Sequence, residues 1–128
     1  MSRLARRGGA ALEFALVLPL LLLISLPIAD YSWYFLCLQQ VDLAAQSGSR
    51  AGARIPLDDD PAYVAATTAY DVLERGLGVL PGEVEVLTRV EDERMVWIEV
   101  RVPYKPITHF IEMPAQLRGR SRMLLENP

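Results

Sequence analysis

The chain has 128 residues, 52% of them hydrophobic, with a formal net charge of −3 and a pI near 5.1; that leaves room for one small domain beside a membrane segment and argues against a nucleic-acid binder. One cysteine, Cys37, and one histidine, His109, exclude an intramolecular disulfide and a cysteine zinc site and leave a histidine metal centre or a Ser–His triad without a basis. With no nucleophile–base spacing and no phosphate loop either, the chain reads as a non-enzyme with no cofactor, no metal and no small-molecule substrate.

A basic stub with Arg3, Arg6 and Arg7 leads into the pair Gly8-Gly9 and then into an apolar run. Residues 10–29 match the roughly 20 apolar residues that a spanning helix needs. Tyr31, Trp33 and Tyr34 follow as an aromatic belt. The next basic residue after the stub is Arg50, so the positive-inside rule places the N-terminus in the cytoplasm and the remainder outside. Ordinary signal-peptide cleavage fits poorly, because a cut before Asp30 would be flanked by Pro27 and Ala29. Glu13 stands just inside the apolar run, where a charge is costly and usually kept for a partner.

No turn signal interrupts the chain from residue 10 to about residue 52, which predicts one helix about 60 Å long at 1.5 Å per residue. Pro19 and Pro27 lie in its spanning part and can kink it. Farther on, Ala44, Gly48 and Gly52 form a stripe of small residues, with Ala45, Ser49 and Ala53 beside it. Such a stripe lets another backbone approach closely, and the first expectation is packing against this chain's own domain, the second another subunit. Cys37 reads as an inert buried thiol.

The stretch "IPLDDDPAYVAATTAYDVLERGLGVLPG" predicts a second helix, capped by Asp59 or Asp60, with Pro61 in its first turn and Gly76 or Gly78 at its end. Tyr63, Ala66, Tyr70 and Leu73 fall at helical spacing and predict its buried face. The run Asp58-Asp59-Asp60 lacks the glycine and distal glutamate of a calcium loop and reads as cap plus solvated loop. Two alternating strands follow, "EVEVLTRVE" and "MVWIEVRV", joined at a charged hairpin tip, residues 91–94. The second strand points Val96, Ile98, Val100 and Val102 to one face and ends at Pro103. The tail "AQLRGRSRMLLE" alternates again and predicts a third strand. Its outer face carries Arg118, Arg120 and Arg122, which are expected to pair with Glu85 or Glu99, with lipid or filament docking as the other reading. His109 and Phe110 carry no assigned role. The fold class is therefore α+β: a long N-terminal membrane-spanning helix continuing into a small extracytoplasmic domain with a second helix and a three-stranded antiparallel sheet.

Counted from the glycines, a cut after Gly8 would leave a chain with Glu13 fifth and Phe14 sixth. This resembles the class III signal of type IV pilin-like proteins, above all the Flp (Tad) branch. The longer stretch "RRGGAALEFALVLPLLLLISLPIADYSWYFLCLQQVDLAAQSGSRAGAR" is similar to the N-terminal module of TadE-like proteins. The resemblance implies a pilin-like fold and a minor pseudopilin of a Flp pilus. It implies residues 1–8 as a cleaved basic leader, residues 9–54 as the long helix and residues 55–128 as the extracytoplasmic α+β domain. It also implies a prepilin peptidase, other pilins or pseudopilins and an inner-membrane assembly platform as partners. The processing site would comprise Gly8, Gly9, Glu13 and Phe14, with a cut after Gly9 making Glu13 fourth instead. A carboxylate one helical turn from a newly freed α-amino group can neutralise it, on its own chain or on a neighbour. The alternatives are a glutamate that merely snorkels to the headgroups and an uncleaved single-pass inner-membrane scaffold of the same machine.

Overall fold

A computed structural model describes residues 2–79, 82–108 and 111–126, with side chains inside the first helix described from Gly9 onward. His109 and Phe110 lie outside these residues. Helix α1 runs unbroken over Ser2–Ala53, a short 3-10 turn covers Leu57–Asp59, and helix α2 covers Pro61–Leu77. Strands β1 (Glu85–Glu91), β2 (Met95–Pro103) and β3 (Gln116–Leu124) complete the chain. The arrangement is α+β and pilin-like. Both Pro19 and Pro27 lie within α1, which extends back through the basic stub instead of starting at the glycines.

Helix α2 is delimited by local chemistry. The Asp60 carboxylate accepts from the Tyr63 backbone N–H at 3.2 Å, Pro61 occupies the first turn, and Gly78 takes a left-handed φ of 65° while its N–H donates to the Glu74 carbonyl. Its buried face is Pro61, Ala65, Ala69 and Leu73. The expected face is thereby corrected: Leu73 is buried, but Tyr63 is 66% exposed and Ala66 only half-buried. The reason is distance, since α2 comes so close to α1 at Gly48 and Gly52 that the small side chains of Ala65 and Ala69 are what fit there.

The sheet is an antiparallel meander in the order β1-β2-β3. The tight hairpin after β1 places Asp92 and Glu93 at positive φ, with the Arg94 N–H donating to the Glu91 carbonyl at 3.1 Å. Register puts Val86, Val100 and Gly119 in one cross-strand row and Thr88, Ile98 and Ser121 in the next, all facing the helices. Val96, Ile98 and Val100 are wholly buried there. Helix α1 lies mainly over β3 and β2, and α2 over β1.

The approach of α1 to the sheet is set by Gly119, where a Cβ would come 2.8 Å from the Val41 carbonyl oxygen. Ser49 and Ser121 share a hydrogen bond of 2.8 Å across the same contact. At the far end the Glu126 N–H donates to the Ala53 carbonyl at 2.9 Å, satisfying one of the carbonyls a helix leaves open at its C-terminus. The outer half of α1 is thus a core element of the C-terminal module and not a stalk beneath it.

Candidate functional site at the N-terminal helix

Helix α1 changes character along its length. Its most apolar 18-residue window has a mean hydropathy of 2.4, and none of it is covered by the rest of the chain. Leu12, Phe14, Leu16, Leu20 and Leu23 stand exposed, each by more than half. Such a face is unstable in water, and its length and composition suit a membrane or other helices. From Asp30 on, one side is covered: Asp30, Cys37, Val41, Ala44, Ala45, Gly48 and Gly52 are buried and fall on one helical face. The opposite side keeps Tyr31, Phe35, Leu36 and Leu43 exposed.

Gly9 and Glu13 lie in the uncovered part. A Cβ on Gly9 would meet nothing within 4 Å. Glu13 is exposed, and no hydrogen bond or ion pair reaches it among the described residues. Phe14 is 63% exposed. Gly8 is helical in its backbone, and its surroundings lie outside what the structure describes. Glu13 therefore sits four residues, about one turn or 6 Å, from the Gly9 nitrogen.

The small stripe is covered from within the chain. A Cβ on Gly48 would lie 2.6 Å from the Ala65 carbonyl oxygen and 2.8 Å from the Ile98 Cδ1, and one on Gly52 would lie 2.7 Å from the Pro61 carbonyl oxygen. Ala44 is wholly buried on the same side. These residues bring α1 and α2 to backbone contact, with the sheet below.

The sequence alone gives Asp30 no role beyond flanking a poor cleavage site. It is fully buried where α1 leaves its apolar run. The Thr108 backbone N–H donates to its Oδ1 at 2.8 Å, and the Thr108 hydroxyl donates to its Oδ2. Beside this clasp Tyr104 packs edge-on against Tyr34, with ring centroids 5.5 Å apart. The Tyr104 hydroxyl has no hydrogen-bond partner among the described residues, and burial, with the neighbouring Cys37 and Asp30, holds its pKa above the ordinary phenol value. A local signal for Asp30 did exist: a carboxylate placed directly between an apolar run and an aromatic belt. Its partner, 78 residues away, left none.

On the outer face of the sheet, Glu99 is nearly buried beneath two guanidiniums. Arg101 Nε donates to it at 2.7 Å and Arg120 Nε at 3.0 Å. Arg120 is the pairing expected from alternation, whereas Glu85 is met by Arg101, at 3.2 Å, and not by an arginine of β3. The hydrogen bond from Arg101, and then the charges of both arginines, hold the Glu99 carboxyl below its ordinary range against the opposing effect of burial. An unfolded glutamate titrates at about 4.3, so the clamp's contribution is complete above that pH. As the pH falls below about 4.3 the unfolded chain takes up its proton first and the contribution declines, vanishing below the folded pKa. Unfolding midpoints measured from pH 6 to pH 3 will show this acid-side loss in the parent, and Glu99→Gln will flatten it.

The family model described as TadE-like protein matches residues 8–50, about a third of the chain. No curated protein and no solved structure matches.

Proposed function

We propose, with the TadE-like match over residues 8–50 as the premise, that the chain is a minor pseudopilin of a Flp (Tad) pilus. In this reading a prepilin peptidase cuts after Gly8, the C-terminal module lies outside the inner membrane, and the uncovered half of α1 packs among the helices of other pilins on an inner-membrane platform. The observation that carries it is the pairing of an uncovered apolar helix with an exposed carboxylate, without a partner among the described residues, one turn from the Gly8–Gly9 bond. Cleavage would free an amine at Gly9, and Glu13 would offset its burial cost while fixing register with a neighbour. Two adjacent glycines also make this junction easy to unwind, since each weakens a helix by about 1 kcal/mol against alanine. A carboxylate in the first turn then favours the shortened helix through its dipole.

The continuity of α1 from Ser2 supports a second reading, an uncleaved single-pass scaffold of the same machine. Intact mass and N-terminal sequence of the protein from its native membrane, with and without the peptidase, separate the two. A chain beginning at Gly9 only in the presence of the peptidase is the expected result, with a start at Ala10 placing Glu13 fourth. An unprocessed N-terminus in both strains overturns the pseudopilin and leaves the anchor. In the processed case, Glu13→Leu will still be cut and inserted but will fail to enter filaments, read as pilus-associated protein after shearing.

A further inference from the structure

Strand β3 is a long, regular and open sheet edge. Toward β2 its pairing is continuous and free of bulges, from Met95 opposite Leu124 to Pro103 opposite Gln116. Flanking bonds extend that side further, from the Tyr104 N–H to the Ala115 carbonyl and from the Leu125 N–H to the Arg94 carbonyl. Away from β2 the sheet has no further strand, and among the described residues no backbone bond reaches residues 116–124 from that side. Proteins usually blunt such an edge with charged side chains, a proline, a bulge or a short strand. β3 has no proline, no bulge and nine residues of regular pairing.

It has instead three arginines in alternation. Arg118, Arg120 and Arg122 are all exposed on the outer face, about 6.8 Å apart at two residues' rise. On the outer faces of β2 and β3 together, four arginines stand against one carboxylate, Glu99, which Arg101 and Arg120 already share. Arg118 lies opposite Arg101 and Arg122 opposite Trp97, and neither has an ion pair among the described residues. Beneath them Leu117 and Gly119 are held against α1, so the edge is a firm template. At the end of the row Leu124 is 67% exposed, next to the half-buried Met95.

We propose that β3 is a docking edge for an extended acidic segment of a partner protein, which adds to the sheet as a fourth strand. Its backbone takes the open hydrogen bonds of β3, and its alternate carboxylates lie beside Arg118, Arg120 and Arg122. The same arginines turn away a second β3: two such edges paired antiparallel would face arginine with arginine. The ladder therefore protects the edge against its own kind and selects an acidic strand with carboxylates at every second residue.

The test uses the full chain in nanodiscs of uncharged lipid and a blocked heptapeptide with glutamate at positions 2, 4 and 6 among threonine and valine, an alternation set by the strand period of two. Expected results are saturable binding weakened by salt, and slowed hydrogen exchange at the amides of residues 116–124 on binding. Arg118→Glu with Arg122→Glu, two exposed positions outside the Glu99 clamp, will weaken binding by about tenfold and confer binding of the matching lysine peptide. Equal binding by a peptide with its three glutamates contiguous, or unchanged exchange in β3, overturns strand addition, and the exchange measurement stands whether or not the double variant folds. Tighter binding of a single-stranded oligonucleotide overturns the peptide partner in favour of a general polyanion site. Self-association that the peptide cannot displace overturns it in favour of a second copy.

Discussion

Gly48→Leu will unfold the C-terminal module, and Gly48→Ala alone will cost it about 1–3 kcal/mol. Alanine ordinarily stabilises a helix interior over glycine by roughly 0.5–1 kcal/mol, so the sign itself is the finding. It follows from what the new atom meets: the Ala65 carbonyl oxygen at 2.6 Å and the Ile98 Cδ1 at 2.8 Å. A backbone carbonyl inside α2 cannot swing away, so the two helices must separate and the alanine contacts at Ala65 and Ala69 open with them. Gly76→Ala is the control, because its Cβ would crowd only the Gln40 side-chain amide, a flexible end that can turn aside. Thermal unfolding of the three variants in mild detergent will place Gly76→Ala at or above the parent, Gly48→Ala below it, and Gly48→Leu without a cooperative transition.

The second large effect lies at the other end of the module. Asp30→Leu leaves the Thr108 N–H and hydroxyl without their acceptor in a half-buried position, at a cost of about 1–3 kcal/mol. The loss is local in kind. Residues 104–108 are tied to α1 through this carboxylate and the Tyr104–Tyr34 contact, and release of the first loosens the second. Hydrogen exchange will accelerate at residues 104–108 while the amides of β2 stay protected. Thr108→Val removes one donor and keeps the backbone bond, so it will show the same pattern more weakly. Uniform acceleration over the whole sheet would contradict a local clasp.

These two positions mark where the sequence was readable and where it was not. Alternation of Val96, Ile98, Val100 and Val102 shows which face of β2 is buried, because a two-residue period needs no tertiary knowledge. The caps of α2 are equally local: an Asx oxygen before Pro61 and a glycine after Leu77 suffice. The buried face of α2 was not legible, because hydrophobicity favours Tyr63 while the spacing imposed by Gly48 and Gly52 favours Ala65 and Ala69. That choice belongs to the pair of helices and cannot be read from either one. The Asp30–Thr108 clasp depends on a chain crossing that no periodicity encodes, whereas Glu99 and Arg101, two residues apart on one face of β2, meet through the strand period itself. For Glu13 the situation is reversed: its distance from Gly8 is plain in the sequence, and the folded chain alone offers it no partner among the described residues.

One consequence concerns mechanics. Because Val41, Ala44 and Gly48 of α1 are core residues of the module, no swivel separates the sheet from the apolar half of the helix. The two prolines that could bend α1, Pro19 and Pro27, both precede the Asp30 clasp. Rotation of the helix about its axis therefore turns the sheet like the arm of a crank, and β3 sweeps an arc whose angle is that of the helix itself. Torque applied to α1 beyond Pro27 would reach the outer edge of the sheet.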